Sequence, residues 1–356
     1  MRKKRREVNS RSRPLCAGRR RLPLRAATAA QPTPTPRRWM LALLLVDTMG
    51  GLLSELTVRP YYKLEKFIAA KQIPAVHTIK DRQLLNVADP SPSAFNHGTW
   101  DALLRAYVKP DRTFGEVTGA TGVDYAGLSA DARFDEYRAS LAAANVEALP
   151  APDQLALWMN AYNALCIGLL VDDMRMRGAG TPTASINDLG TKKADPKNGV
   201  PVWDLPAGTV GGRAVSLNEI EHAMLRAKWA EPAVHACIVC ASASCPNLRA
   251  EAFAAPAANL RAQMDDQLAS WLANPTKGAA LREAQKELLV SRIFLWFAED
   301  FAADRFAAID ALQPRLPTAI GERVAAWRRG GPFGGKRLGL RYFVYDWQVN
   351  DASGSA

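Results

Sequence analysis

Residues 153–177, DQLALWMNAYNALCIGLLVDDMRMR, decide the fold of this chain. Their apolar side chains occur on every side of a helix, and the polar face of a surface helix is nearly absent. Asp153 follows Pro152 and lies in the first turn, where its negative charge suits the helix dipole. Because a helix that is apolar on all sides is a buried one, we expect this segment to form the core of a domain.

Helices and short strands alternate on both sides of this segment. Upstream, the sequence predicts helices at Trp100–Val108 and Ala130–Ala144, and a turn at Val123–Gly127. Downstream, it predicts a Gly-Gly hairpin at Val210–Val215 and a helix that begins at the capping box Ser216–Glu219 and ends at Lys228. Further strands are predicted at Ala233–Cys240, which is buried, at Glu287–Val290 and at 338–344. Further helices are predicted at 256–273, Ser291–Phe301, 303–312 and 318–328. The predicted fold is α+β, a helix-rich single domain with a small, mostly antiparallel sheet.

The formal charge of +11 is distributed unevenly along the chain. Residues 1–38 hold 13 Lys or Arg and one acid, whereas the remaining 318 residues hold 33 basic and 34 acidic side chains. A nucleic-acid-binding domain carries its basic excess on a folded face, so the folded domain is not expected to bind nucleic acid.

The chain divides into four segments at the sequence level. Residues 1–38 are predicted to be a disordered basic leader or a transit peptide, and a basic arm that touches anionic partners is the alternative. The apolar segment 39–56 resembles the core of an export signal, or an amphipathic helix on the domain. It is too often interrupted for a stable membrane span. A linker at 57–94 leads to the domain at 95–350. Because of the leader, an organelle or export destination is favoured over the cytoplasm.

Three cysteines lie within nine residues, in the segment His235 to Cys245. Cys245 precedes a proline, which is favoured at the first position of a helix, and a helix N-terminus lowers a thiol pKa. The spacing Cys237-x2-Cys240-x4-Cys245 also permits a zinc site, but strand alternation places Cys240 on the opposite face from Cys237. No metal and no cofactor is therefore assigned. A disulfide between Cys240 and Cys245 is a further alternative in an oxidising compartment.

Polar residues on apolar helix faces are the other candidates. Asn160 and Asn163 lie three residues apart on the core helix, where they either tie loop backbone or donate to a reacting oxygen. Glu221 falls inside the stripe that Leu217, Ile220 and Met224 define, so it needs a partner or a raised pKa. His222 falls on the flank of that helix, where it could act as a general base.

Several spaced motifs resemble one family. The segment 155–164 (LALWMNAYNA) is similar to the signature of the domain-of-unknown-function family numbered 547. Support comes from 216–226 (SLNEIEHAMLR), 235–249 (HACIVCASASCPNLR), 291–301 (SRIFLWFAEDF) and the residues at 123–125 and 345–347. The residues that match are Trp158, Asn160, Tyr162, Asn163, Glu221, His222, His235, Cys240, Ser242, Cys245, Pro246 and Asp300. The resemblance implies a fold and supplies no reaction.

Whether the domain is an enzyme stays open at this level. The leading hypothesis is a thiol-dependent hydrolase or acyl transferase, acting on a small molecule or a peptide. Cys245 would be the nucleophile, with Cys240 as the alternative. His222 would be the base, with His235 as the alternative. Glu221 would orient the base, and Asn160 or Asn163 would stabilise charge. The alternatives are a non-catalytic binding or scaffold domain and a zinc-stabilised domain.

Overall fold

In a computed structural model of the protein, the apolar segment forms one helix, Ala151–Arg177, at the centre of the fold. Gly178 ends it in a left-handed conformation, with φ at 60°. This helix is long and apolar enough to cross a membrane, but 89% of its most apolar window is buried inside the protein. It is therefore the core helix that the sequence predicts.

The structure describes residues 82–89, 95–191, 194–195, 198–302, 305–329 and 338–354, all within one compact unit. The predicted leader at 1–38 and the apolar segment at 39–56 lie outside the described residues. Part of the predicted linker lies within them and contacts the domain. Gln83 pairs with Trp229 through a β-bridge, and the buried Leu85 donates its backbone N–H to Glu231.

The described elements form a helix-rich α+β fold, as predicted. The helices are α1 (Gly98–Tyr107), α2 (Tyr125–Ala130), α3 (Ala132–Ala142), α4 (Ala151–Arg177), α5 (Leu217–Glu219), α6 (Val234–Cys237), α7 (Ala257–Ala273), α8 (Ile293–Trp296), α9 (Ala298–Phe301), α10 (Arg305–Leu312) and α11 (Thr318–Arg329). The strands are β1 (Val108–Phe114), β2 (Val117–Val123), β3 (Pro206–Val210), β4 (Arg213–Ser216), β5 (Ala279–Arg282), β6 (Glu287–Val290) and β7 (Gly339–Tyr342).

The strands form three small sheets in the described part of the chain instead of one. β1–β2 and β3–β4 are antiparallel hairpins, and β5–β6–β7 joins an antiparallel pair to a parallel one. The hairpin β1–β2 has no counterpart among the predicted elements. Its strands contain Pro110, Asp111 and Gly119, and the alternation of apolar residues that indicates a strand is weak there.

The predicted hairpin is present, and of the predicted capping box only the bond accepted by Ser216 is present. Gly211 and Gly212 have positive φ, as a two-residue turn between antiparallel strands requires. The Ser216 side chain accepts the backbone N–H of Glu219, so α5 begins where predicted. The Glu219 side chain pairs with Arg213 instead of returning to the helix start.

Beyond α5 the chain widens into a π-helical segment, Ile220–Arg226, where the sequence predicts an α-helix to Lys228. Leu217 and Ile220 are buried as expected, whereas Met224 is half-buried. Such widened turns are rare and are frequent at functional sites.

Two predictions around the cysteines are wrong. Ala233–Cys240 is not a strand, because Val234–Cys237 form the helical turn α6 and only the residues after it are extended. Pro246 does not begin a helix, since 246–249 have no regular structure. Cys245 therefore does not lie at a helix N-terminus, and the helix dipole cannot act on its thiol.

The segment 345–353 closes the fold against the cysteine loop, Ala241–Ser244. Ala243 and Ser244 donate backbone N–H groups to the carbonyls of Gln348 and Asp346, and Asn350 donates to Ala241. Further on, Ala352 and Val123 are joined by a backbone hydrogen bond of 2.9 Å, which ties this segment to β2. The end of the described chain thus fixes the conformation of a loop about one hundred residues upstream.

Candidate functional site

Cys240 and Cys245 lie in contact at the two ends of the cysteine loop. Their Sγ atoms are 3.1 Å apart, and Cys245 Sγ accepts the backbone N–H of Cys240 at 3.0 Å. Both thiols are free. Cys245 is buried and Cys240 is partly exposed, so Cys240 is the more accessible of the two residues.

Cys240 is surrounded by hydrogen-bonding groups that favour its ionised form. Its Sγ lies 3.1 Å from the Tyr345 hydroxyl and 3.2 Å from the Ser242 hydroxyl, in addition to Cys245. Tyr345 accepts a hydrogen bond from Ser242 at 3.0 Å, which leaves its own proton for the sulfur. The bonds from Cys245, Ser242 and Tyr345 outweigh burial and lower the pKa of Cys240 to about 7.

Cys245 has the opposite electrostatic surroundings. Burial raises its pKa well above the usual value, and the neighbouring Cys240 raises it further. The sequence predicts Cys245 as the first-choice nucleophile, whereas the geometry places the more acidic and more accessible thiol at Cys240, the alternative.

Two features hold Cys240 in place. Asn163, on α4, donates its amide to the Cys237 carbonyl and accepts the Val239 N–H, both at 2.9 Å, so the core helix fixes the chain just before Cys240. Ala241, just after it, has φ at 59° and is buried. A non-glycine residue in this left-handed conformation is strained, and such strain occurs most often at functional sites.

Glu221 is the acidic group of the site. It lies on the π-helical segment, with its Oε2 3.5 Å from the Tyr162 hydroxyl and its Oε1 3.8 Å from His235 Nδ1. Burial raises the pKa of Glu221 to about 7, and the negative charges of Cys240 and Asp300 contribute while Arg226 opposes them. The inward position that the helix stripe predicts for Glu221 is therefore the one observed, with 14% of the side chain exposed.

The two histidines bond to charged side chains and not to a thiol in the described residues. His222 Nδ1 lies 2.7 Å from Arg226, and His235 Nε2 lies 2.7 Å from Asp300. Burial, and then Arg226, lower the pKa of His222 to about 3, and burial lowers that of His235. A role for either histidine as the base stays a prediction.

Arg226 and Asp300 connect these groups into one cluster. Asp300 accepts from both Arg226 and His235, and these two bonds hold its pKa below the usual range despite burial. The ring of Phe297 stacks on His235, with ring centroids 4.2 Å apart, and Arg226 lies 4.5 Å over the same ring. The cluster is rigid because each member has at least two partners.

A buried cation contacts the cysteine loop. Lys277 is 2% exposed and donates its ammonium to the Ala243 carbonyl at 3.2 Å. Burial lowers its pKa to about 8, while attraction to the charges of Cys245 and Cys240 opposes that shift. Lys277 thus stabilises negative charge on either sulfur.

Asn160 ties a second loop to the core helix. Its amide donates to the Phe253 carbonyl at 2.7 Å and accepts the Phe253 N–H at 3.1 Å. Both predicted asparagines therefore bond to loop backbone, and their contribution to charge stabilisation stays a prediction.

Six contributing side chains received no role from the sequence: Tyr162, Arg226, Ser242, Lys277, Asp300 and Tyr345. Ser242, Asp300 and the segment of Tyr345 lie in stretches whose sequence resembles a known family, which marks them without saying what they contact. No sequence pattern indicated a role for Lys277.

In the described residues no group of three His, Cys, Asp or Glu side chains is placed to hold a metal ion.

Fold and site define a helix-rich α+β protein in which two contacting thiols lie within electrostatic range of a buried acid. Residues 146–272 match the family described as protein of unknown function, DUF547. The matched range includes the core helix, the π-helical segment and both cysteines. No curated protein and no solved structure is detectably similar to the chain.

Proposed function

We propose that the protein is a thiol-dependent enzyme, a hydrolase or an acyl transferase, in which Cys240 is the nucleophile. One observation carries this proposal: residue Cys240 is partly exposed, and its sulfur is in hydrogen-bond contact with Cys245, Ser242 and Tyr345. A thiolate is the reactive form of cysteine, and this environment forms it near neutral pH without a histidine in contact.

The reaction proceeds in two steps. The Cys240 thiolate attacks the carbonyl carbon of an ester or thioester, and the leaving group departs with the electrons of the bond that breaks. Water or another acceptor then attacks the acyl-cysteine and expels the thiolate. Glu221, whose pKa is raised to about 7, accepts the proton of that acceptor and returns it to the departed group.

The other members of the cluster position the Glu221 carboxylate. Tyr162 and His235 contact the two oxygens of Glu221. Asp300 bonds to both His235 and Arg226, so the position of His235 is fixed and the charge of Asp300 is neutralised. Asn163 acts as a positioning residue, because it fixes the backbone that leads to Cys240.

The test uses p-nitrophenyl acetate with the reduced full-length protein. We expect a burst of p-nitrophenolate equal to the protein concentration and one acetyl group on Cys240, located by peptide mass spectrometry. Cys240→Ala abolishes both, whereas Cys166→Ala, which removes a buried thiol of the core, retains them. Acetylation that is absent, or that is spread evenly over the cysteines, contradicts the proposal and favours a non-catalytic scaffold.

A further inference from the structure

Acyl transfer at Cys240 needs one thiol, yet the structure holds two in contact. Cys166 and Cys237 are also buried and free, and no thiol contacts either of them among the described residues. Among the described cysteines only Cys245 contacts the proposed nucleophile, at 3.1 Å, with the four small residues of the cysteine loop between them. A disulfide bond is about 2.05 Å long, so the two sulfurs need to approach by only about 1 Å to form one.

The two thiols differ in the way that sequential disulfide exchange requires. Cys240 is partly exposed and is the more acidic, so it reacts first with a disulfide from solution. Cys245 is buried behind it and is protected from that first attack. It is, however, already in contact with the Cys240 sulfur, which is the atom that it must attack in the second step.

We propose that Cys240 and Cys245 form a reversible intramolecular disulfide by exchange with a small disulfide, and that this bond switches off acyl transfer. The switching rests on the proposed function, whereas the disulfide itself does not. The Cys240 thiolate attacks one sulfur of the small disulfide and expels a thiolate. Cys245 then loses its proton to the solvent, attacks Cys240 Sγ and expels the second thiolate. Two protein thiols are oxidised, and one disulfide is reduced to two thiols.

The cysteine loop supports the second step. Lys277 holds its ammonium on the Ala243 carbonyl, within the loop, and stabilises the charge that Cys245 acquires when it ionises. The loop side chains are small, and the strained backbone at Ala241 lies between the two sulfurs in the sequence. Oxidation removes the Cys240 thiolate that attacks the acyl substrate, and excess thiol reduces the disulfide and restores that thiolate.

The experiment exposes reduced full-length protein to oxidised glutathione. We expect a mass loss of two hydrogens, a peptide in which Cys240 is joined to Cys245, and recovery of both thiols with dithiothreitol. Cys245→Ser is expected to hold glutathione on Cys240 as a stable mixed disulfide. Cys166→Ala is expected to form the internal disulfide as the wild type does.

The wild-type measurement alone decides the matter if Cys245→Ser fails to fold. Protein that stays reduced, or that accumulates glutathione on Cys240, overturns the proposed pair. The acetyl burst is measured on the same samples before and after oxidation. A disulfide without any burst in the reduced protein refutes acyl transfer and leaves the redox pair standing, whereas a burst that survives oxidation refutes the switch.

Discussion

Tyr345 reaches Cys240 from 105 residues further along the chain and places its hydroxyl 3.1 Å from the sulfur. Ser242 donates to the same hydroxyl, which leaves the tyrosine proton free to bond to the sulfur. Hydrogen bonds to an ionised group are stronger than those between neutral groups, so each donor favours the thiolate.

Tyr345→Phe removes one of these donors and leaves the ring in place. We expect the apparent pKa for alkylation of Cys240 by iodoacetamide to rise from about 7 by about one unit, which slows labelling at pH 7 several-fold. Tyr107→Phe is the matched control, because that hydroxyl bonds to Asp131, away from the cysteines. An unchanged pH profile in Tyr345→Phe contradicts the assigned role of the hydroxyl.

Glu221 makes stability depend on pH. Its folded pKa is raised from 4.5 to about 7, so the folded state binds the proton more tightly than the unfolded state between those values. This contribution to stability is present at low pH and is lost as the pH rises through about 7.

Glu221→Gln removes this titration. From pH 5 to pH 8 the wild type is expected to lose about 2 kcal/mol of unfolding free energy relative to the variant, as measured by urea denaturation. Glu219→Gln, at a partly exposed carboxylate that pairs with Arg213, is expected to follow the wild type. Parallel pH curves for wild type and Glu221→Gln would show that the carboxyl is not destabilised by burial.

At the scale of elements, the core helix α4 holds two loops by side-chain amides. Asn163 satisfies two buried backbone groups of the segment before Cys240, and Asn160 does the same at Phe253. An unpaired buried polar group costs about 1–3 kcal/mol, so each amide matters more than an ordinary surface bond.

Asn163→Ala leaves the Cys237 carbonyl and the Val239 N–H without this partner. We expect a loss of about 2–4 kcal/mol of unfolding free energy and less selective alkylation of Cys240, because the backbone before it is no longer fixed. Asn259→Ala, whose exposed side chain bonds to Ala254, is expected to change stability by under about 1 kcal/mol. Equal losses in the two variants would contradict the positioning role of Asn163.

Elements with strong local sequence signals are predicted correctly, whereas those that depend on distant contacts are not. The apolar run of α4, the glycines between β3 and β4 and the capping box at Ser216 are local signals, and all three elements are present. The strand predicted at Ala233–Cys240 is absent, because its backbone groups bond to Asn163 on a helix, a contact that no local pattern encodes. The inward position of Glu221 follows from helix periodicity, whereas the partners of Cys240 come from distant chain and cannot be read locally.

At the scale of the whole molecule, the segment 345–353 completes both the fold and the site. It supplies Tyr345, and it pairs with the cysteine loop and with β2 through backbone hydrogen bonds. Asn350 adds side-chain bonds to Tyr125 and Thr121, so three distant parts of the chain meet there.

A chain that stops after Phe343 loses these bonds, each of which contributes about 1 kcal/mol net. We expect a destabilisation of several kcal/mol and no preference of iodoacetamide for Cys240 over the other cysteines. A chain that stops after Ser353 keeps the bonds and is the control. The assigned role of this segment fails if the shorter chain keeps both its stability and its preference for Cys240.

The contact between Tyr345 and Cys240 has a consequence during synthesis on the ribosome. A nascent chain that has just acquired Cys240 must be extended by 105 residues before the phenol that acidifies the sulfur exists. Until then the sulfur lacks one of the three side-chain partners that favour its ionised form. The full acidity of the Cys240 thiol therefore requires the completed fold.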